Sequence, residues 1–145
     1  MTAEHPVPGT LRLVFPATET EVRKALGVLT SAGPLCDLPS AAIETAELVI
    51  VEVLNNIVEH AYAQSSGEIE VRLGHDGPHI LVEIIDTGQP LPGLSLPLPK
   101  LPDTSDLPEG GFGWYLIRTL ASDVTYRRAG GRNMLRLCLP ACPVD

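Results

Sequence analysis

The sequence predicts an α/β fold, a two-layer sandwich in which helices cover one face of a mostly antiparallel sheet. Three observations carry this. Residues 47–62 repeat apolar side chains at three- and four-residue steps, the period of a helix buried along one side. Residues 68–73 (EIEVRL) and 79–85 (HILVEII) alternate around the turn cluster Gly74-His75-Asp76-Gly77-Pro78, which reads as an antiparallel hairpin. Residues 124–128 and 133–139 form a second strand pair around Ala129-Gly130-Gly131.

Taken in order, residues 1–9 carry Pro6 and Pro8 and read as a flexible arm. Residues 10–15 alternate, with Leu11, Leu13 and Phe15 on one face of a strand. Thr18 is a good N-cap, and Glu21 completes a capping-box pattern for a helix reaching about Ser31, where Gly33-Pro34 ends it. Ser40 is expected to cap the central helix, with Glu44 near its positive end. Along that helix Ile43, Ala46, Ile50, Val53, Leu54, Ile57 and Ala61 make an apolar strip. Glu52, Asn56 and His60, spaced by four, make a second strip roughly opposite. Residues 89–109 interleave leucines with Pro90, Pro92, Pro97, Pro99, Pro102 and Pro108, which blocks helix and central strand alike and predicts a lid. A helix over 114–121 follows, burying Leu116, Ile117 and Leu120, and residues 141–145 form a short tail.

A chain of 145 residues with 44% hydrophobic content suits one compact domain. No apolar run approaches the roughly 20 residues that span a bilayer, and the first ten residues lack a signal core, so a cytoplasmic chain without membrane contact is expected. The net charge of −8 argues against nucleic acid as a partner, because duplex binding needs a concentrated basic patch. Arg127, Arg128, Arg132 and Arg136 read as a solvated strand edge. Cys36, Cys138 and Cys142 are too few for a disulfide framework, and their spacing with the histidines gives no metal cage made by protein alone.

Three stretches can carry chemistry. Glu52 and Asn56 present a carboxylate and a carboxamide one helical turn apart. In Asp86-Thr87-Gly88, at a strand end, the aspartate can accept hydrogen bonds from an amino group and the glycine lets backbone approach a flat ring. Gly110-Gly111-Phe112-Gly113 opens a helix, where unhindered amides and the positive helix end can cradle phosphate. It is not a P-loop, since no Gly-Lys-Ser/Thr follows.

In this order, Glu52-x-x-x-Asn56-x-x-x-His60-Ala61-Tyr62, Asp86-Thr87-Gly88 and Gly111-x-Gly113 with Leu116-Ile117 resemble the N box and two glycine motifs of the GHKL ATPase superfamily. They are most similar to its small bacterial branch of anti-sigma-factor serine kinases. The resemblance covers about residues 10–139 and implies the Bergerat ATP-binding fold, a histidine-kinase-like ATPase domain over 10–140 with its lid at about 89–109. It implies ATP and Mg²⁺ as cofactors. Asn56 would bind the Mg²⁺ that bridges the phosphates, Asp86 would accept the adenine amino group, and Gly88 would clear the ring. Gly111 and Gly113 would offer amides to phosphate, with His60 either near the phosphates or packed at the helix end. Glu52 would be the general base toward a serine hydroxyl of a partner. The implied partners are a STAS-type anti-sigma-factor antagonist as substrate, a sigma factor, and a second copy in a homodimer.

Two departures stand out. Trp114 replaces the smaller apolar residue usual after the second glycine motif and is expected to crowd the lid or pack on it. Asn133 follows Gly131-Arg132 where relatives often place a threonine reaching the phosphates. These departures keep open an alternative, a non-catalytic protein-binding module in which ATP only orders the lid.

Overall fold

Alternation along the strands builds the sheet. In the computed structural model, which describes residues 2–4, 10–96 and 113–141, Leu11, Leu13 and Phe15 turn inward from strand β2 (Leu11–Pro16). Ile69, Val71 and Leu73 do the same from β3 (Glu68–Asp76), and Ile80, Val82 and Ile84 from β4 (His79–Asp86). Leu135, Leu137 and Leu139 complete the inner face from β6 (Arg132–Pro140), with β5 (Ser122–Ala129) beyond it at the edge. The sheet order is β1-β2-β3-β4-β6-β5, where β1 is Thr2–Glu4, and every pairing is antiparallel.

Helices close that inner face. Helix α1 (Glu19–Ser31) buries Val22, Ala25, Leu26 and Leu29. Helix α2 (Ser40–Asn56) buries Ala42, Ala46, Val49, Ile50, Val53 and Leu54, and α3 (Gly113–Leu120) buries Ile117. This is the expected two-layer α/β sandwich, its apolar core between helices and sheet. Outside, Glu70 accepts from Arg12 Nε at 3.0 Å and Nη2 at 3.2 Å, and also from Arg72. Among the described residues no helix is long and apolar enough to cross a membrane.

The hairpins follow turn chemistry. Gly77, at φ +59°, precedes Pro78 in the two-residue β3–β4 turn. Gly130 and Gly131, at φ +60° and +73°, make the β5–β6 turn, a pair of left-handed positions that glycine meets without a Cβ penalty.

Three local expectations change. The arm at 1–9 includes β1, because the free edge of β2 offers backbone partners, with Ala3 opposite Leu13. Ser40 is inside the helix: Pro39, extended at ψ 148°, is the cap, and its carbonyl accepts from Ala42 N at 3.0 Å and Ile43 N at 3.1 Å. The central helix does not run as α-helix to Tyr62 but widens into a π turn over Ile57–Ala61. Of the expected lid, residues 89–96 are described and contain a short 3₁₀ turn, Pro92–Leu94; residues 97–109 lie outside the described part, as do 142–145 of the tail.

Thr18 Oγ1 accepts from Glu21 N at 3.2 Å, whereas Ser40 makes no cap bond. Thr18→Ala should therefore cost about 1 kcal/mol in urea unfolding. Ser40→Ala should stay within about 0.5 kcal/mol.

Candidate functional site

The inward positions that make the core also make the site. Phe15, Ile69, Asp86, Asn133 and Arg128 occupy one register row across β2, β3, β4, β6 and β5. Where the row leaves the apolar centre, the sequence switches to polar residues. Asp86 and Asn133, 4% and 5% exposed, are the buried polar residues of the described chain, and they face each other. Asp86 Oδ1 accepts from Asn133 Nδ2 and from Gly88 N, each at 2.8 Å. Burial pushes the Asp86 carboxyl above its ordinary value, against the pull of the Asn133 and Gly88 hydrogen bonds and the Arg128 charge. Among the described residues no hydrogen bond reaches Oδ2.

The network continues outward to Tyr126, which pattern reading passed over, and to Arg128, which it placed on a solvated edge. Asn133 Oδ1 accepts from the Tyr126 hydroxyl at 2.7 Å and from Arg128 Nη1 at 2.8 Å. Arg128 also donates to Gly88 O at 2.8 Å, and Leu91 N donates to the Tyr126 hydroxyl at 3.1 Å. Arg128 is thus half-buried in the site and not part of a solvated edge, because its place in the alternation with Val124 and Tyr126 turns it inward. Asn133 contacts Asp86, which fixes what this departure from the threonine pattern does in the fold. The available signal was register: pairing the two hairpins puts Asn133 opposite Asp86.

The π turn supplies the opposite wall. Its wide hydrogen bond, Tyr62 N to Ile57 O at 3.1 Å, brings Ala61 against the Asp86-Thr87-Gly88 loop, where Ala61 O accepts from Gln89 N at 2.8 Å. A Cβ on Gly88 would lie 2.4 Å from Ala61 O, so the fold itself demands glycine there. The buried Tyr62 hydroxyl donates to Glu68 O at 2.8 Å and accepts from Thr87 N at 2.9 Å, tying the loop to the start of β3.

These walls enclose a cavity of about 350 Å³, within the range of small-molecule pockets. Asn56, His60, Asp86, Gln89, Trp114, Tyr126 and Asn133 line it, with apolar walls from Val53, Ile57, Ala61, Leu91 and Leu135. Trp114 is half-buried against the core and lines the cavity together with residues 90–92. His60 is at the mouth, its side chain 71% exposed and its Nε2 3.9 Å from Glu59 Oε2, so it is not packed into the helix end.

Glu52 and Asn56 are half-buried and not on a solvated face. The first residue of α3 covers them: a Cβ on Gly113 would lie 2.9 Å from Glu52 Oε2 and 3.5 Å from Asn56 Nδ2. Asn56 lines the cavity and Glu52 does not. Asn56 Nδ2 is a buried donor without a hydrogen-bond partner among the described residues. Among the described residues no cluster of three His, Cys, Asp or Glu could hold a metal. A hard cation that keeps its waters and takes most ligands from phosphate needs only one protein oxygen, and the Asn56 carboxamide fits that demand. Gly111 lies outside the described residues.

The family model described as histidine kinase-like ATPase domain matches residues 15–139. Serine-protein kinase RsbW of Bacillus cereus strain AH187 is 32% identical over 98 residues, 64% of this chain and 61% of that protein. The protein of the same name from B. cereus strain G9842 is 33% identical over the same shares, so the chain matches less than two thirds of these relatives' length. Among solved structures, the RsbU and RsbW domains of a Mycobacterium tuberculosis protein superimpose with a TM-score of 0.61 at 22% identity, over 97% of this chain and 35% of that one, a likeness of fold.

Two expectations follow from the geometry. Gly88→Ala, forced against Ala61 O, should cost about 1–3 kcal/mol, and Tyr62→Phe, which leaves Thr87 N and Glu68 O without the hydroxyl, a similar amount, both read by urea unfolding. Because the Asp86 carboxyl is raised when folded, the native state holds its proton from the ordinary value of 3.8 up to the raised one. Its contribution to stability therefore falls as pH rises through that window. Asp86→Asn should remove that slope in unfolding free energy measured across acidic pH.

Proposed function

The chain belongs to the histidine kinase-like ATPase domain family, and from that premise we propose that it binds Mg-ATP in the cavity at the end of β4 and phosphorylates a serine of a STAS-type anti-sigma-factor antagonist. In this reading it also acts as an anti-sigma factor, holding a sigma factor when the antagonist is phosphorylated. The observation that carries it is a cavity lined by both Asp86, whose Oδ2 no described residue hydrogen-bonds, and the Asn56 carboxamide. The similarity to RsbW serine-protein kinases supports the reaction and the class of partner.

Each residue then has a task. Asp86 Oδ2 accepts from the adenine amino group. Ile57, Leu135 and Trp114 give the ring apolar surface. Asn56 holds Mg²⁺, which supplies charge neutralisation at the phosphates when bound. Gly113, at the start of α3, offers its amide to phosphate, and the same task falls to Gly111 by its place in the motif. Glu52, one turn before Asn56, takes the proton of the attacking serine hydroxyl as the γ-phosphoryl group moves to that oxygen and ADP leaves. His60, at the mouth, serves the phosphate end. The protein works in the cytoplasm as a homodimer.

A second reading has its own observation: Glu52 lies under Gly113 outside the cavity lining. If it stays there, ATP orders the segment that starts at Gln89 and the protein binds its partner without chemistry.

Mg-ATP at a hundred times its dissociation constant should stabilise the wild type by about 2.7 kcal/mol in thermal unfolding. Asn56→Ala should abolish that shift. Glu52→Ala should keep the shift and lose γ-phosphate transfer to an STAS-type partner by at least about a hundredfold. Transfer undiminished in Glu52→Ala sinks the general-base role, and no transfer by the wild type with binding intact favours the second reading.

A further inference from the structure

The amide of Asn133 has a forced orientation. An asparagine side chain can be turned either way, and its partners decide which. Arg128 can only donate, and its Nη1 is 2.8 Å from Oδ1. Leu91 N can only donate and gives its proton to the Tyr126 hydroxyl, so the phenol proton goes to Oδ1, 2.7 Å away. The Gln89 carbonyl can only accept, and it faces Nδ2 at 2.9 Å, with Gly88 O at 3.3 Å. Nδ2 therefore meets Asp86 Oδ1 as a donor. With Gly88 N as its second donor, that oxygen is committed, and the other is left to read a ligand.

We propose that Asn133, oriented by Tyr126 and Arg128, is the positioning residue that keeps Asp86 an acceptor, and so selects a 6-amino purine nucleotide over a 6-oxo one. This rests on the nucleotide reading above and adds to it residues on the last hairpin that belong to none of the three motifs but hold Asp86 and Gly88. Two donors on one oxygen favour the ionised carboxylate, while burial favours the protonated acid. Arg128 is the charged side chain beside it, and His60 lies at the cavity mouth. Burial already outweighs the two donors, and loss of the Asn133 donor removes one of the contacts that oppose it, which moves Asp86 further toward the protonated acid. A protonated Asp86 donates to a 6-oxo group as readily as the ionised form accepts from a 6-amino group. Loss of Asn133 thus weakens the amino-purine and strengthens the oxo-purine, whereas a merely structural residue weakens both alike.

The test is calorimetric titration of the full chain with Mg-ATP and Mg-ITP, for the wild type, Asn133→Ala and Tyr126→Phe, each checked for folding by thermal unfolding. The wild type is expected to prefer ATP by at least about tenfold, the size of a hydrogen bond to a charged group. Asn133→Ala should reduce the ATP-to-ITP ratio at least about fivefold, and Tyr126→Phe should move it the same way by less. If both variants fold and keep the wild-type ratio, the proposal is overturned, even when both nucleotides bind more weakly. Should Asn133→Ala not fold, an unchanged ratio in Tyr126→Phe overturns it alone. A wild type that binds both nucleotides equally overturns this selection and leaves nucleotide binding standing, while one that binds neither removes the underlying reading as well.

Discussion

A carboxylate sits at the end of a core row, and the molecule is arranged to tolerate it. Burying an ionised group without partners costs several kcal/mol, so such groups are found paired or hydrogen-bonded. Asp86 has two donors on one oxygen and the Arg128 guanidinium close by, yet burial still holds its carboxyl above the ordinary value. The arrangement trades stability for a fixed, buried acceptor. The inner face of β4 runs Ile80, Val82, Ile84, Asp86, so apolar packing gives way to the polar cavity wall at its last residue.

Two elements far apart in sequence keep that acceptor in place. The π turn after α2 presses Ala61 against Gly88, and the last hairpin clamps Asn133 and Arg128 onto the same loop. Neither contact alone would define the loop. The first sets its approach to the helix, the second its approach to the sheet, and Tyr62 closes the corner toward β3. The start of α3 then covers Glu52 and Asn56, so helix packing brings the two ends of the cavity into one body.

Features that depend on local chemistry were legible in the sequence. Thr18 and Glu21 announced α1, the glycine turns announced both hairpins, and the period of residues 47–62 announced a helix. Asp86 and Asn56 stood out as candidates because their order along the chain is distinctive, and the structure brings both to one cavity. What depends on tertiary partners was not legible. The cap at Pro39 is a backbone conformation that Ser40 obscures. The π turn exists because Ala61 must meet the Gly88 loop, and nothing within residues 57–61 signals it. Arg128 looked like one of four exposed arginines until pairing with β6 assigned it a face.

Trp114 is the only tryptophan in the chain, and its indole forms part of the cavity wall. Indole emission depends on the polarity and water content around the ring. The protein therefore contains a single built-in optical reporter, located where any occupant of the cavity must displace solvent. Its signal is uncontaminated by a second indole elsewhere, so the state of the cavity can be followed in real time on unlabelled protein.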